Sequence, residues 1–454
     1  MIIKSLNPAT ESVNREFETF SRDAVLERCK AAQRAFAQWS AVEVDDRAAM
    51  MRKLAAVLRQ KSRDYGRIMT LEMGKPIRQA VAEVEKCAFA ADVYAESAKR
   101  WLADEIVDAG FRKSFVTPQP LGVILSIMPW NFPFWQAMRF GIPALTAGNV
   151  SILRHSNVCP MSSLAIEESF RLAGFPDGVF SSIITDHDEV KRLVRSRYIS
   201  GVSLTGSVEA GRSVAALAGK NIKKFVLELG GSDAFIVLDD ADPQTAGQKA
   251  AEGRMINSGQ SCIAAKRFIV ARQIADEFTK AFVASTERLK VGDPLEESTD
   301  IGPMASRQQV ETLDAQVKES ISQGAKIETG GHRLEGRGYF YQPTVVTAVR
   351  GSMPLLKQEV FGPVGPVVVA RNDDDALRIA NSSQFGLGAS VWTSDPEKGE
   401  RMARRIEAGL VYVNGIVASD PRFPFGGIKQ SGIGRELSRH GLLEFTNIKS
   451  VIIK

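Results

Sequence analysis

Apolar positions recur at helical spacing through the first hundred residues and then change to short runs. Residues 23–101 are rich in alanine, leucine, arginine and glutamate and contain few glycines, which predicts a mainly helical segment. Residues 111–120 are β-prone and bounded by glycine and proline, which predicts a short strand. From Gly122 onward, short apolar runs alternate with helical patterns, so we expect an α/β arrangement in the rest of the chain.

The alternation predicts parallel strands linked by helices in two successive series. The first series comprises strands at 123–127, 150–153, 179–184 and 201–204, with helices at 134–147, 162–173 and 189–196. The second follows residue 262, with strands at 268–270 and around 345 and 367, and helices at 275–289, 306–323 and 374–381. Such connections are right-handed and form open sheets, so two α/β lobes are expected, with residue 262 near their junction. The β-branched tail, 447–454, is suited to supply a strand to a neighbouring subunit.

Composition narrows the classes of function. The chain has 454 residues, of which 44% are hydrophobic and 24% charged, as in ordinary globular proteins, and this length favours two or three domains. Its net charge of +5 is small and dispersed, so we expect neither a nucleic-acid partner nor a membrane partner. The longest apolar run, 121–135, is broken by Pro129 and Asn131 and is too short to span a bilayer.

The four cysteines are scattered along the chain at Cys29, Cys87, Cys159 and Cys262. They are too few for a disulfide framework and have no metal-type spacing, so we predict reduced thiols, no metal site and a cytoplasmic protein. Cys29 and Cys87 lie in alanine-rich helical surroundings that are typical of packing residues. Cys159 has no base near it in the sequence.

Cys262 differs from the other three because it follows the polar, glycine-containing turn 257–261. A lone cysteine is most often a small buried hydrophobe, but such a turn offers backbone N–H donors to a reactive thiol. Glu228, between Leu227 and Leu229, is either a salt-bridged strand residue or a buried base with a raised pKa that accepts a proton from water. We favour the base, which together with Cys262 indicates covalent catalysis through a thioester.

Two further turns follow predicted strands. Asn131 lies between two prolines in 129–133, which indicates a positioned amide able to hold an oxyanion together with the Cys262 N–H group. A rigid structural turn explains that pattern equally well. Residues 206–211 open a helix as phosphate-binding turns do, although they lack a complete dinucleotide or phosphate-loop motif. A glycine needed for steric reasons alone is the alternative there.

These features, in this order, resemble the aldehyde dehydrogenase superfamily over nearly the whole chain. The matching segments are 72–76, 129–133, 204–207, 228–231, 259–262, 302–304, 359–363 and 424–432. The resemblance implies an α/β fold of two open, Rossmann-like domains and a small β arm for oligomerisation. We accordingly expect a nucleotide-binding domain (1–105 and 121–230), a catalytic domain (231–440), an oligomerisation arm (106–120 and 441–454) and assembly as a homodimer or homotetramer.

The resemblance also implies roles for individual residues. Cys262 would be the nucleophile, Glu228 the base for deacylation and Asn131 the oxyanion amide. The cofactor-binding residues would be Trp130, Arg154, Ser156, Asn157, Gly206, Ser207, Glu359 and Phe361.

One cofactor segment departs from the commonest pattern of that family. Lysine, proline, serine and glutamate often follow this strand, where this chain has Arg154, His155, Ser156 and Asn157. A glutamate at the fourth position would repel a 2′-phosphate, whereas Asn157 does not, and the guanidinium of Arg154 is suited to phosphate. We therefore predict NADP as the preferred cofactor, with NAD as the alternative.

The substrate prediction rests on Trp135, Arg139 and Ser419. Trp135 and Arg139 are four residues apart on one predicted helix face, just beyond Asn131. A solvated or subunit-contact arginine is the ordinary interpretation of Arg139, but here we expect it to pair with the far carboxylate of a short substrate, with a hydroxyl from Ser419. Segments 135–139, 155–157 and 418–420 resemble bacterial succinate-semialdehyde dehydrogenases. We predict oxidation of succinate semialdehyde to succinate, with glutarate semialdehyde or an aliphatic aldehyde as alternatives.

Two other functions fit parts of the pattern. A redox-free cysteine hydrolase would use Cys262 and Glu228 alone, but it has no use for cofactor residues such as Gly206 and Glu359. A catalytically silent scaffold is disfavoured because Cys262, Glu228 and Asn131 are all present.

Overall fold

The chain begins with an antiparallel hairpin that is followed by four helices. The computed structural model describes residues 1–454. The elements of this region are β1 (Ile2–Asn7), β2 (Ser12–Glu18), α1 (Arg22–Trp39), α2 (Val44–Gln60), α3 (Ser62–Met73) and α4 (Ile77–Trp101). The helices agree with the pattern of residues 23–101, whereas the hairpin was not predicted. Two strands of a small sheet come next, β3 (Glu105–Ile106) and β4 (Lys113–Pro120).

The first strand–helix series supplies five strands of a six-stranded sheet, and the C-terminal segment supplies the sixth. Its elements are β5 (Val123–Met128), α5 (Pro133–Thr146), β6 (Val150–His155), α6 (Pro160–Leu172), β7 (Phe180–Ile183), α7 (His187–Arg195), β8 (Gly201–Thr205), α8 (Val208–Lys220) and β9 (Lys224–Glu228). The five strands are parallel, in the order β9, β8, β5, β6, β7. Most of their residues are buried because helices cover the sheet. The predicted strands and helices of the first series correspond to β5–β8 and α5–α7, and the helix start predicted at 206–211 and the strand predicted at Glu228 correspond to α8 and β9.

The second series forms a seven-stranded sheet. Its elements are β10 (Asp233–Val237), α9 (Pro243–Met255), β11 (Ala265–Ala271), α10 (Ala275–Glu287), α11 (Arg307–Ser322), β12 (Lys326–Thr329), β13 (Thr344–Thr347), α12 (Pro354–Lys357), β14 (Val364–Ala370), α13 (Asp373–Asn381), β15 (Phe385–Gly386), β16 (Gly388–Trp392), α14 (Pro396–Ala403) and β17 (Leu410–Val413). The order is β12, β13, β14, β11, β10, β16, β17, and only β12 runs antiparallel to its neighbour. The sequence did not predict strands β10, β12, β15, β16 and β17 or helices α9, α12 and α14.

The C-terminal segment returns to the first lobe. It contains β18 (Ile428–Lys429), β19 (Gly432–Ile433), α15 (Ser438–Glu444) and β20 (Thr446–Ile453). β19 pairs with β9 and extends the first sheet, with Gly432 opposite Glu228. Residues 432–433 therefore lie on the sheet of the nucleotide-binding domain, although the sequence division assigns them to the catalytic domain. The domain boundaries otherwise stay a prediction.

β20 pairs with β4 of its own chain, and β4 pairs with β3, which gives a three-stranded antiparallel sheet. β20 lies at one edge of this sheet and most of its residues are exposed. The strand predicted for the tail is therefore present, and its supply to a neighbouring subunit stays a prediction.

The main hydrophobic core lies in the first lobe, between the sheet and helices α1–α6. Smaller cores lie on the two sides of the second sheet. No helix of the chain is long and apolar enough to cross a membrane.

Candidate active site

The carboxyl ends of β5 and β8 border the point where the strand order of the first sheet reverses. β6 and β7 lie on one side of β5, whereas β8 and β9 lie on the other. Open α/β sheets bind ligands in the crevice at such a point. A cavity of about 540 Å³ occupies it, and its lining includes Trp130, Arg154, Ser156, Thr205 and Ser207. The fold thus brings four predicted cofactor residues to one cavity.

Arg154 has a hydrogen-bonding capacity that the protein does not use. Its Nη2 donates to Asn157 Oδ1 at 3.0 Å and to the Thr185 carbonyl at 3.2 Å. Its Nε is buried and has no partner. His187 and Lys191 line the same cavity. A buried cationic donor without an acceptor is costly, so this end of the cavity fits an anion such as a phosphate.

The turn at Ser207 caps α8, since Ser207 Oγ accepts a hydrogen bond from the Ala210 N–H group at 3.2 Å. Gly206 donates its N–H to the Glu228 carbonyl at 3.0 Å, which ties the ends of β8 and β9 together. A Cβ atom at Gly206 would meet only ordinary contacts, the nearest at 3.6 Å, so the structure shows no steric need for glycine there. Gly206 adjoins the cavity through Thr205 and Ser207, and its part in cofactor binding stays a prediction.

Glu359 and Phe361 come from the second lobe. Glu359 Oε1 accepts a hydrogen bond from the Gly231 N–H group at 3.0 Å and lies 3.6 Å from Lys266 Nζ. The Phe361 ring stands edge-on to the ring of Trp130, which lines the cavity, with 5.6 Å between the ring centroids. Glu359 and Phe361 do not themselves line the cavity, and their part in cofactor binding stays a prediction.

Cys262 follows a backbone segment that L-residues rarely adopt. Asn257, Ser258 and Gly259 have φ angles of 52°, 55° and 73°. Such left-handed conformations cost free energy and persist only where the surroundings impose them. Arg254 provides this restraint: it is fully buried and donates to the carbonyls of Gly259 at 2.7 Å, Ala265 at 2.9 Å and Val360 at 3.1 Å.

The Cys262 thiol lies at the junction of the lobes and is partly exposed. Lys266 Nζ donates to the carbonyls of Ser261 at 2.8 Å and Cys262 at 2.6 Å, while the Cys262 N–H group makes no hydrogen bond within the protein. Burial raises the pKa of Cys262 to about 11, against the opposite effect of the Arg139 and Lys266 charges. The thiol is therefore protonated at neutral pH in this state, with a free N–H donor beside it.

Asn131 is fixed by three contacts beside the cysteine loop. Its Oδ1 accepts from Gln136 Nε2 at 2.9 Å, and its Nδ2 donates to the Gln260 carbonyl at 3.2 Å. Asn257 Nδ2 donates to the Asn131 carbonyl at 2.7 Å. A side-chain amide has two N–H donors, so one remains for a ligand. A free N–H group beside the cysteine loop is what an oxyanion-binding amide has to supply.

Glu228 is buried at the end of β9, and neither of its carboxylate oxygens has a hydrogen-bond partner. A Cβ atom at Gly426 would lie 2.6 Å from Glu228 Oε1, so glycine leaves room for the carboxylate. Burial, with the nearby Glu436 charge, raises the pKa of Glu228 well above 4.5. An unpaired carboxyl group with a raised pKa is suited to receive a proton from water.

Part of the Arg139 guanidinium is engaged within the protein. Arg139 is 2% exposed, its Nε is bonded to Glu436, and its Nη2 donates to Thr205 Oγ1 at 3.4 Å. The guanidinium also stacks over the Phe425 ring, 4.3 Å from its centroid. Its Nη1 makes no hydrogen bond within the protein, and the role of Arg139 as the anchor for a substrate carboxylate stays a prediction.

The other two predicted substrate residues lie together. Trp135 Nε1 donates to Ser419 Oγ at 2.9 Å, across 284 positions of sequence. Lys86 on α4, which the sequence interpretation missed, donates to the same Oγ at 2.8 Å. These three residues do not line the cavity at the strand ends.

Comparison with known proteins agrees with this arrangement. The model of the aldehyde dehydrogenase family matches residues 1–451. The chain belongs to the aldehyde dehydrogenase family. The resemblance inferred from its motifs, and the α/β fold that the resemblance implied, are thereby confirmed.

Individual members of the family are similar to this chain over its full length. A protein of Synechocystis named probable succinate-semialdehyde dehydrogenase [NADP(+)] is 47% identical over 453 residues, which cover 100% of both chains. Succinate-semialdehyde dehydrogenase [NADP(+)] 1 of Mycobacterium tuberculosis is 45% identical over 456 residues, again covering 100% of both. The structure of Streptococcus pyogenes succinic semialdehyde dehydrogenase in complex with NADP+ superposes with a TM-score of 0.97 at 35% identity, covering 99% of each chain.

Several residues that shape this aldehyde dehydrogenase site had no signal in the sequence. Arg254, Gln136 and Glu436 act through partners 5 to 297 positions away, so no local pattern marks them. Lys86 lies in a helix whose polar residues look solvated in sequence. In the structure, by contrast, Lys86 is half-buried and forms no ion pair.

Proposed function

We propose that this protein oxidises succinate semialdehyde to succinate with NADP as the oxidant. Relatives at 43–47% identity over the full length bear that substrate and cofactor in their names. The unpartnered Nε of Arg154, the neutral Asn157 and the cationic lining of the cavity suit a 2′-phosphate. Cofactor binding would involve the set predicted from the sequence, namely Trp130, Arg154, Ser156, Asn157, Gly206, Ser207, Glu359 and Phe361.

Cys262 is the nucleophile of the proposed reaction. Its sulfur adds to the aldehyde carbon, and the carbonyl oxygen becomes an oxyanion. The free N–H groups of Cys262 and Asn131 receive that oxyanion; each such donor contributes about 3 kcal/mol. Because burial holds the pKa of the thiol at about 11, the thiol must release its proton before the sulfur adds to the carbonyl; solvent water receives this proton, since Cys262 is partly exposed.

NADP, when bound, supplies the oxidant that converts the thiohemiacetal carbon to the level of a thioester. The chain's own part in this step is to hold the carbon and the cofactor together. Phe361 contacts Trp130, which lines the cavity, and Glu359 is held by the Gly231 N–H group.

Glu228 completes the proposed cycle. Its carboxylate accepts a proton from a water molecule, which attacks the thioester carbon and releases succinate and the Cys262 thiolate. The raised pKa of Glu228 makes its carboxylate a stronger base than an ordinary glutamate.

One observation carries this proposal. The Asn131 amide contacts the loop that bears the free Cys262 N–H group, and the carboxyl of the buried Glu228 has no hydrogen-bond partner. A panel of aldehydes, assayed by absorbance of the reduced cofactor with NADP and with NAD, tests it. We expect the highest kcat/KM for succinate semialdehyde with NADP. A higher kcat/KM for butanal would refute the proposed substrate, and a higher kcat/KM with NAD would refute the proposed cofactor.

We further propose a homodimer or homotetramer and a cytoplasmic location. The exposed edge of β20 offers unpaired backbone groups for assembly, and all four cysteines are free thiols, as is usual in a reducing compartment. Light scattering of the purified protein measures the mass of the assembly.

A further inference from the structure

Lys266 binds two consecutive carbonyl groups of the cysteine loop. It is the second residue of β11, and its side chain is fully buried. Its Nζ donates to the Ser261 carbonyl at 2.8 Å and to the Cys262 carbonyl at 2.6 Å, and it lies 3.6 Å from Glu359 Oε1. Burial lowers the pKa of Lys266 from its usual value, against the charges of Glu359 and Asp233. A buried ammonium is costly, so these contacts with the loop account for its presence.

The hydrogen bond to the Ser261 carbonyl fixes the direction of the Cys262 N–H group. The two groups belong to the same peptide unit, and every peptide bond of the chain is trans. In a planar trans peptide the C=O and N–H bonds point in opposite directions. Because the Ser261 oxygen faces the ammonium, the Cys262 N–H group points away from Lys266. That N–H group has no acceptor within the protein.

The ammonium also strengthens this donor. A hydrogen bond at the oxygen of a peptide group polarises the group and makes its N–H a better donor. Hydrogen bonds from a charged donor are about twice as strong as those from a neutral donor. Water does not screen the effect, because Lys266 is fully buried. Lys266 therefore both directs and strengthens the N–H group of Cys262.

Gly231 keeps the second carbonyl in its place. A Cβ atom at Gly231 would lie 2.7 Å from the Cys262 carbonyl oxygen, which is too close for the backbone to stay where it is. The φ angle of Gly231 is not positive, so space rather than conformation requires glycine. The Gly231 N–H group also holds Glu359, which is paired with Lys266. These residues form one closed set of contacts around the Cys262 carbonyl.

We propose that Lys266 is a positioning residue of the oxyanion site, which it builds by holding the Ser261 and Cys262 carbonyls so that the Cys262 N–H group faces the substrate. An oxyanion forms when the thiol adds to the aldehyde and again when water attacks the thioester, so the same donor serves both steps. This inference rests on the proposed function, in which Cys262 is the nucleophile. Lys266 itself touches neither substrate nor cofactor in this role.

A simpler role for Lys266 would act through its charge alone. Burial raises the pKa of the Cys262 thiol to about 11, and the charges of Arg139 and Lys266 oppose this. Loss of that charge would slow every reaction of the thiol by the same factor, because it lowers the thiolate fraction. A misplaced N–H group would slow only those reactions that develop an oxyanion. Alkylation by iodoacetamide displaces iodide from a saturated carbon and develops none.

The test compares Lys266→Met with the wild type in two measurements at pH 8. One is the rate at which iodoacetamide alkylates Cys262, and the other is kcat/KM for succinate semialdehyde with NADP. We expect kcat/KM to fall about tenfold or more beyond the fall in the alkylation rate, through kcat and with KM changed by less than about twofold. Lys280→Met is the matched control, since Lys280 is an exposed lysine on α10 of the same lobe; both of its rates should equal those of the wild type.

The outcomes separate this inference from the proposed function. A wild type whose activity survives Cys262→Ser overturns both. If activity needs Cys262, an equal fall of both rates in Lys266→Met, or an unchanged kcat/KM, overturns only the positioning role.

A second variant covers a Lys266→Met protein that does not fold. Gly231→Ala keeps the ammonium and displaces the Cys262 carbonyl, so kcat/KM should fall about tenfold or more while alkylation changes by less than about twofold. Gly219→Ala is its control, because a Cβ atom at Gly219 meets nothing within 4 Å. An unchanged kcat/KM in Gly231→Ala overturns the positioning role.

Discussion

Arg139 and Glu436 form an ion pair in the interior, with side-chain exposures of 2% and 4%. The pair joins α5, which follows the oxyanion amide, to the C-terminal segment that returns to the first lobe. Glu436 Oε1 also accepts from Ser203 Oγ on β8 at 3.3 Å. The pair therefore holds α5, the C-terminal segment and β8 together in the interior.

Removing one partner of this pair should destabilise the fold. Arg139→Met leaves the Glu436 carboxylate buried and unpaired, which costs about 3–5 kcal/mol of unfolding free energy. The double variant Arg139→Met/Glu436→Gln should recover most of that loss, because it leaves no buried charge. Urea unfolding measures all three proteins. A stable single variant with a raised KM for succinate semialdehyde alone would instead support Arg139 as the substrate anchor.

Glu228→Gln should stop the reaction at the thioester. The amide cannot accept a proton from water, so steady-state turnover should fall by about a hundredfold or more. The first turnover remains, and rapid mixing should show a burst of reduced cofactor close to one per active site. Cys262→Ser is the control and should show no burst. A slow first turnover in Glu228→Gln would contradict the assignment of Glu228 to deacylation.

The same variant should change how stability depends on pH. The folded-state pKa of Glu228 is raised, so the stability due to its bound proton is complete below pH 4.5 and is lost as the pH rises through the folded-state pKa. A neutral glutamine has no such loss. Glu228→Gln should therefore gain on the wild type by about 1.4 kcal/mol per pH unit between the two pKa values. Denaturant unfolding at pH 5.5, 7 and 8.5 measures this, and a constant difference would refute it.

Alkylation should report the protonation state of Cys262 in the cofactor-free enzyme. The other three cysteines are buried, so iodoacetamide should label one thiol per chain. Because burial raises the pKa of Cys262 to about 11, the labelling rate should rise about tenfold per pH unit from pH 7 to 10. Mass spectrometry identifies the site and gives the rate. A plateau reached near pH 8 would mean that the thiol is already activated.

Asn157→Glu should reverse the cofactor preference. Asn157 Oδ1 accepts from Arg154 Nη2, so a glutamate there would pair with the guanidinium and remove it from the 2′-phosphate. It would also repel the phosphate directly. We expect kcat/KM to fall at least tenfold for NADP and much less for NAD. Asn157→Gln, which adds length without charge, is the control; an equal loss in both variants would indicate a steric effect.

The sequence predicted those parts of the site that depend on residues close together along the chain. The apolar alternation after Gly122 predicted strands β5, β6, β7 and β8 of the first sheet, because buried parallel strands need continuous apolar runs. The turns that carry Asn131, Gly206 and Cys262 follow strands or begin them, so their position along the chain already implied their position at the sheet edge.

The tertiary structure decided the rest, because it depends on which distant groups share the low-dielectric interior. Residue type alone leaves open whether a guanidinium is free or paired; burial opposite Glu436 settles this for Arg139. The same interior leaves the carboxyl oxygens of Glu228 without a hydrogen-bond partner. The sequence by itself therefore determined the fold class and the family, and it proposed the reacting groups. Only the folded chain determined which charges are balanced, since that follows from contacts hundreds of residues apart.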